Sequence, residues 1–273
     1  MNIVVTTVQN PTGDVEKLAR QIAASLNMPF VARSKNSLAA IKEWHGVSDL
    51  LVVTTKGPVA HTPGGEFFFH LNMSELRIKN LINGKHDHMV AAMDLKPGMT
   101  VLDCTLGLAT DAIVASFIVG NDGKVRGVES SPLIAVITQY GLQNFTCDDE
   151  YINRALRNIR VENMDYYQYL VALSSASFDV VYFDPMFRQP IYSSSNLKPL
   201  RYLADSRPLS KEIIREACRV AKKRVVVKEG RDSKEFERLG ITIMAGGKYS
   251  SIRYGIINID DRPNAGGCLW NVL

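Results

Sequence analysis

Four stretches of this chain repeat one pattern: a short hydrophobic run suited to a buried strand, closed by an acid and followed by turn or helix chemistry. They span 99–103, 123–129, 157–165 and 177–184, and their closing acids are Asp103, Glu129, Asp165 and Asp184. In a parallel sheet the carboxyl ends of successive strands lie along one rim, so the pattern predicts four carboxylates converging on one crevice. The first repeat is the most complete. Lys96-Pro97-Gly98 is turn chemistry, and Met99 to Leu102 is the strand. Small residues follow (Cys104, Thr105, Gly107, Ala109), then an apolar helical run from Ala112 to Val119. Such a tight loop lets a ligand approach backbone N–H groups at a helix N-terminus.

In the second repeat, Ser131-Pro132 directly after Glu129 places Ser at the N-cap and Pro at the first helical position. An acid closing the second strand, some two dozen residues beyond the first loop, is placed to accept hydrogen bonds from ribose hydroxyls.

Ahead of these repeats the chain predicts a small α/β module over residues 1–72. Ile3 to Thr7 is a strand, and Val15, Leu18, Ala19, Ile22, Ala23 and Leu26 mark one face of a helix. Pro29 to Ala32 is a second short strand, and Ser37 caps a helix through Trp44. Asp49 to Thr54 is a third strand, Lys56-Gly57-Pro58 a turn, and Glu66 to His70 a fourth strand. Its three phenylalanines fit a core better than a base-stacking platform. Ser74 begins a helix whose charged side, with Arg77, Lys79 and Lys85, reads as a solvated face. His86-Asp87-His88 lacks the further ligands at helix or hairpin spacing that a metal site needs.

Net charge is only +4, so any case for nucleic acid rests on local clustering. Between Arg188 and Arg231 there are twelve Lys and Arg against four Asp and Glu, and phosphate contacts are expected there. The four cysteines form no C-x-x-C pair, which argues against a zinc site or a disulfide framework. The N-terminus has no basic segment followed by a long apolar core, and no apolar run approaches the roughly 20 residues of a membrane helix, so a reducing cytoplasm is expected.

The motif order resembles that of class I S-adenosylmethionine-dependent methyltransferases over roughly residues 73–260. The stretch Asp103-x-Thr105-x-Gly107-Leu108-Ala109-x-Asp111-Ala112, with Glu129-x-Ser131-Pro132 and Asp184-Pro185-Met186-Phe187, is similar more narrowly to RsmJ-type methyltransferases. The resemblance implies a Rossmann-like seven-stranded α/β sheet over 73–273. It implies S-adenosylmethionine as cofactor, held by Asp103, Thr105, Gly107, Thr110, Asp111, Glu129, Ser130 and Asp165. Asp103 and Gly107 would face the methionine part, Glu129 the ribose and Asp165 the adenine. The acceptor implied is the exocyclic amine of a guanine in small-subunit ribosomal RNA, making RNA the expected partner.

Two departures stand out. Thr105 and Ala109 occupy the first and last glycine positions of the generic D-x-G-x-G-x-G loop, which argues against a dinucleotide fingerprint. The segment from Arg188 to Asn196 differs from the basic stretch of the RsmJ type.

The catalytic reading centres on Asp184, Pro185 and Phe187. An exocyclic amine is a weak nucleophile because its lone pair is delocalised into the ring. A carboxylate at Asp184 and the Pro185 carbonyl can accept its two hydrogens and favour a pyramidal nitrogen, while Phe187 stacks on the base. Proline fixes the backbone there. Three other classes fit parts of the pattern: a nicotinamide-dependent oxidoreductase, a non-catalytic RNA-binding module, and a methyltransferase for DNA adenine or protein glutamine.

Overall fold

The computed structural model of the chain describes residues 3–185 and 198–259. Among them two sheets form. The first joins β1 (Ile3–Thr7), β2 (Asp49–Thr54), β3 (Gly57–Thr62) and β4 (Gly65–Phe67) in that order, with β1–β2 parallel and the rest antiparallel. α1 (Gly13–Ser25) and α2 (Leu38–His45) connect β1 to β2, capped by Thr12 and Ser37, whose side chains accept from Val15 and Ala40 N–H.

Two expectations change here. The stretch Pro29 to Ala32 makes one isolated bridge, Val5 to Phe30, before the chain turns away at Ser34 with φ +45°. Conversely, Gly57 and Pro58 begin β3, and the turn is Thr55-Lys56, pinned by Thr54 Oγ1, which accepts from Lys56 N–H and donates to Gly57 O. Proline is tolerated because β4 pairs only from Ala60 onward, so β3 is locally an edge at Pro58. The Phe67 to Phe69 run divides: Phe67 is buried in β4, Phe69 packs edge-to-face on Phe145, and Phe68 is exposed.

The second sheet is built from β5 (Thr100–Asp103), β6 (Lys124–Glu129), β7 (Ile159–Asn163), β8 (Phe178–Phe183), β9 (Ala221–Gly230), β10 (Ile243–Ala245) and β11 (Ile252–Asn258). Its order is β10-β11-β9-β8-β5-β6-β7, parallel except where β11 runs antiparallel to β9 and β10. This is the seven-stranded Rossmann-like sheet expected, with its reversal of strand order between β5 and β8.

Both faces of the central strands are buried, and alternation sorts their side chains. Val101, Val125, Val180, Tyr182 and Val226 join one core. It is covered by α3 (Ser74–Ile82), α4 (His88–Met93), α5 (Thr110–Val119) and α7 (Glu150–Arg157). Leu102, Val128, Val181, Phe183, Val225 and Val227 join the other. It is covered by α8 (Tyr166–Ala172), α10 (Lys211–Val220) and α11 (Glu235–Leu239). α9 (Lys198–Leu203) and α6 (Pro132–Asn144) face the first sheet: Leu133, Ile134, Ile137 and Leu203 share a core with Ile3, Val5, Leu51, Val53 and Phe67. The two sheets are thus joined by packing across α6. No helix among the described residues is long and apolar enough to cross a membrane.

The junction is tight at Gly141 of α6, where an added Cβ would come within 1.9 Å of the Phe69 ring. Gly141→Ala therefore forces Phe69 out of place despite its better helix propensity. Overpacking of this kind costs about 1–3 kcal/mol, and a lower urea midpoint is the expected result. An unchanged or raised midpoint would mean that the junction is not closely packed.

Candidate active site

Register brings the strand ends level. Asp103, the last residue of β5, pairs with Gly127 of β6 on one side and Tyr182 of β8 on the other. The ladder continues past the strand, with Cys104 N–H donating to Tyr182 O and Leu106 N–H to Val128 O. The following loop turns through Gly107 (φ +52°) and Ala109 (φ +61°), the latter at the N-cap of α5. Gly107 N–H donates to Glu129 Oε2 at 3.0 Å, and Thr138 Oγ1 donates to Gly107 O at 2.7 Å. A Cβ on Gly107 would meet nothing within 4 Å, so the backbone there is open to a ligand.

A cleft of about 480 Å³ opens at this rim. Its walls include Asp103, Thr105, Gly107, Thr110, Asp111, Val128, Glu129, Ser130, Tyr166, Asp184 and Pro185, with Asn72, Met73, Arg77, Arg201, Asp205, Arg207, Lys228 and Tyr254 around them. Of the acids expected to converge, Asp103, Glu129 and Asp184 do so. Asp165 is the exception. It lies two residues beyond β7, caps α8 by accepting from Tyr167 and Gln168 N–H, and pairs with Arg207 rather than lining the cleft. Phe187 and the segment through Asn196 lie outside the described residues.

Glu129 is 7% exposed, and burial raises its pKa. Its Oε1 accepts from Ser131 N–H at 2.8 Å, and Ser130 N–H adds to these backbone donors. Ser131 stands at the N-cap of α6, as expected, but its hydroxyl makes no capping bond. Asp103 is 2% exposed, and burial pushes its carboxyl up to about 8, with Asp111 and Asp184 adding to the rise. Its bonds from Thr105 N–H (3.0 Å) and Oγ1 (3.4 Å) both fall on Oδ1. Thr105 Oγ1 also accepts the N–H of Asp184 at 2.6 Å. A threonine where the generic loop has glycine thus ties the β5 loop to the first residue after β8.

Beside Asp184 sits an ionic cluster that the sequence did not reveal. Lys228 Nζ of β9 lies 2.7 Å from Asp184 Oδ2 and 2.9 Å from Asp111 Oδ2. Arg77 of α3 pairs with Asp111 and makes a two-pronged contact with Asp87, which itself caps α4. Tyr182 Oη donates to Asp111 Oδ2 at 2.7 Å. Burial opposes charge on Asp111, but Lys228 and Arg77 hold its carboxyl well below the usual range. For Asp184 burial prevails and the pKa rises to about 6, with Lys228 opposing the rise and Asp111 adding to it. Two cations, Arg77 and Lys228, here face four carboxylates, Asp87, Asp103, Asp111 and Asp184. Arg201 and Arg207 add two more cations to the cleft wall, beside Glu129 and Asp205.

The expected basic strip divides between two ends of the sheet. Arg201, Arg207 and Lys228 line the cleft, whereas Lys222 and Lys223 sit at the start of β9, at the opposite end. Arg219 is spent on the Leu170 and Leu173 carbonyls and Glu216, and Arg224 on the Ala92 carbonyl and Asp94. Charge clustered along the chain is not clustered in space.

A doubly wound sheet of this order, with an open glycine over the rim and a buried acid closing the second strand, defines the class I methyltransferase fold. A family model described as "Putative SAM-dependent methyltransferase" matches residues 67–256, and the chain belongs to that family. The protein is accordingly a methyltransferase that uses S-adenosylmethionine.

Relatives agree along nearly the whole length. An uncharacterized protein of Bacillus subtilis, YpiP, is 39% identical over 93% of this chain and 98% of its own. Ribosomal RNA small subunit methyltransferase J of Coxiella burnetii is 28% identical over 87% of this chain and 89% of its own. In fold the chain is similar to a SAM-dependent methyltransferase structure from Neisseria gonorrhoeae, with a TM-score of 0.63, 19% identity, and coverage of 95% of this chain and 97% of that one.

The residues present fit the cofactor. S-adenosylmethionine carries a sulfonium, an ammonium and a carboxylate, and the cleft offers acids (Asp103, Glu129, Asp184), cations (Arg77, Arg201, Arg207, Lys228) and an open Gly107.

Thr105→Val keeps the shape but leaves Asp184 N–H without its acceptor. A loss of about 1–3 kcal/mol in urea unfolding is expected, with Thr105→Ser close to the parent. Equal stability of the Val variant would show that the Thr105–Asp184 bond does not hold the two loops together.

Proposed function

We propose that this methyltransferase acts on the exocyclic amine of a nucleobase, guanine N2 of small-subunit ribosomal RNA. The observation that carries the reading is the placement of Asp184-Pro185. They leave β8 into the same cleft as Asp103 and Glu129, with Asp184 locked by Thr105 and Lys228. The relatives named ribosomal RNA small subunit methyltransferase J support small-subunit ribosomal RNA as the substrate class. RNA is then the partner, and the cytoplasm, where ribosomal RNA is found, the location.

On this reading Glu129 accepts from the ribose hydroxyls with the acceptor capacity its backbone bonds leave free. Val128 and Tyr166 form the apolar wall for the adenine, with Ser130 beside them. Asp103 and Gly107 face the methionine end, and Thr110 opens α5 next to them. Asp111, whose carboxylate is bound by Arg77, Lys228 and Tyr182, shapes this end rather than holding the cofactor. When bound, S-adenosylmethionine supplies a methyl group activated on sulfur. Asp184 and the Pro185 carbonyl accept the two amine hydrogens and turn the nitrogen lone pair toward that carbon. The amine gives up one proton, to Asp184 or to water, so that the methylated product is neutral. Alignment of donor and acceptor supplies much of the rate. Residues 1–72 are taken as a small unit fixed against a catalytic unit of 73–273, a division supported by their separate sheets and shared core.

Asp184→Ala is expected to retain S-adenosylmethionine binding in calorimetry and to lose turnover on small-subunit rRNA by about 100-fold or more; unchanged turnover would remove Asp184 from the chemistry. Mass spectrometry of rRNA from a deletion strain should show one N2-methylguanosine missing, and an unaltered rRNA would exclude this acceptor.

Asp103 gives a pH signature. Its raised carboxyl is mostly protonated at pH 7 in the free protein and ionises beside a cationic ligand. Binding should therefore release about one proton at pH 7 and almost none at pH 9. Affinity should strengthen as pH rises and level off above about 8. Calorimetry in buffers of different ionisation enthalpy measures this, and Asp103→Asn should abolish the release. A release that persists in Asp103→Asn would assign it to another group.

A further inference from the structure

Lys228 is the one cation that touches Asp184 among the described residues. It reaches the cleft from β9, where Val225, Val226 and Val227 precede it in the core. Its side chain is 19% exposed, and its position is set from two sides by the carboxylates of Asp111 and Asp184. Asp111 cannot follow a moving lysine, because Arg77 holds its Oδ1 and Tyr182 its Oδ2. The lysine is therefore anchored to α5 and α3 and presented, as a fixed charge, to one oxygen of Asp184.

We propose that Lys228 is a positioning residue for methyl transfer: it occupies Asp184 Oδ2, leaves Oδ1 to accept a single N–H of the acceptor amine, and keeps that carboxylate charged. This rests on the reading that Asp184 orients the acceptor. It explains why a carboxylate and a carbonyl, rather than two carboxylate oxygens, meet the two amine hydrogens. A protonated Asp184 would offer an O–H donor where an acceptor is required.

The charges around Asp184 make the consequence directional. Lys228 and Glu229 face it from β9, Asp111 from α5, Asp103 from β5 and Tyr182 from its own strand, with Arg77 and Asp87 behind Asp111 and Tyr254 of β11 beside Asp111 and Lys228. Lys228 is the nearest positive charge and Asp111 a near negative one. Removing the first must raise the pH at which Asp184 ionises, and removing the second must lower it.

The test is the pH profile of kcat/KM for small-subunit rRNA from the deletion strain, measured on the full-length protein at saturating labelled S-adenosylmethionine, so that the Asp103 ionisation linked to cofactor binding does not enter the profile. The parent should show an acidic limb near pH 6. In Lys228→Met the limb should move up by about one unit or more, with activity at pH 7 reduced about two-fold or more and recovering toward pH 9. Lys228→Arg should restore the parent's limb, and Asp111→Asn should move it down. A lower rate with an unmoved limb in Lys228→Met would overturn the proposal, because a merely structural lysine lowers rate at every pH. Should Lys228→Met fail to fold, Asp111→Asn carries the test, and an unmoved or raised limb there overturns it equally. Failure of the underlying reading is separate: it would appear as full turnover in Asp184→Ala.

Discussion

Parallel pairing of β5 between β6 and β8 is the constraint on which the site depends. One residue of slip would exchange the two faces of a strand that is buried on both, so packing fixes the register. With the register fixed, Asp103, Gly127 and Tyr182 lie level, and the segments leaving the three strands arrive at the same rim. Glu129 and Asp184 are thereby carried to Asp103 from far along the chain. The cores on the two faces are large, so the rim inherits rigidity that loops alone lack. Backbone donors then complete it: Gly107 and Ser131 N–H hold Glu129, and Thr105 N–H holds Asp103.

The loop over this rim shows why a departure from a glycine pattern need not weaken a site. Thr105 trades backbone freedom for a hydroxyl that bonds Asp103 on one side and accepts Asp184 N–H on the other. Ala109 keeps the left-handed conformation that glycine would adopt more readily, with φ +61°, and is fully buried. A non-glycine residue there costs of order 1 kcal/mol, set against the packing its methyl gains. Gly107, the one glycine of the generic loop that this chain retains, combines positive φ with open space beyond its Cα.

The parallel core of the second sheet was legible because a hydrophobic run ending in an acid is a local signal. The cap at Ser37 was legible for the same reason. Features set by distant partners were not. Gly57-Pro58 carries turn chemistry, yet starts a strand because β4 leaves that edge open. Asp165 looks like the other strand-end acids, but the chain has already turned, and Arg207, 42 residues away, claims it. Arg77 reads as one charge on a solvated helix face and is in fact the partner of Asp87 and Asp111. One signal could have been used. Lys228 follows Val226 at a spacing of two in a strand buried on both faces, so it points to the same side as a core residue and demands a carboxylate partner.

The buried carboxyl of Asp103 at the rim has a consequence for the order of events. Unlike charges about 4 Å apart near a protein surface attract by roughly 4 kcal/mol. On the proposed assignment, Asp103 faces a positive sulfonium before transfer and a neutral thioether after it. The attraction is therefore present while the methyl group is still on sulfur and absent once it has moved. Arg77 and Lys228 cannot replace that missing charge, since each is committed to carboxylates already. On that assignment, the acid that favours the charged cofactor holds the spent one less tightly.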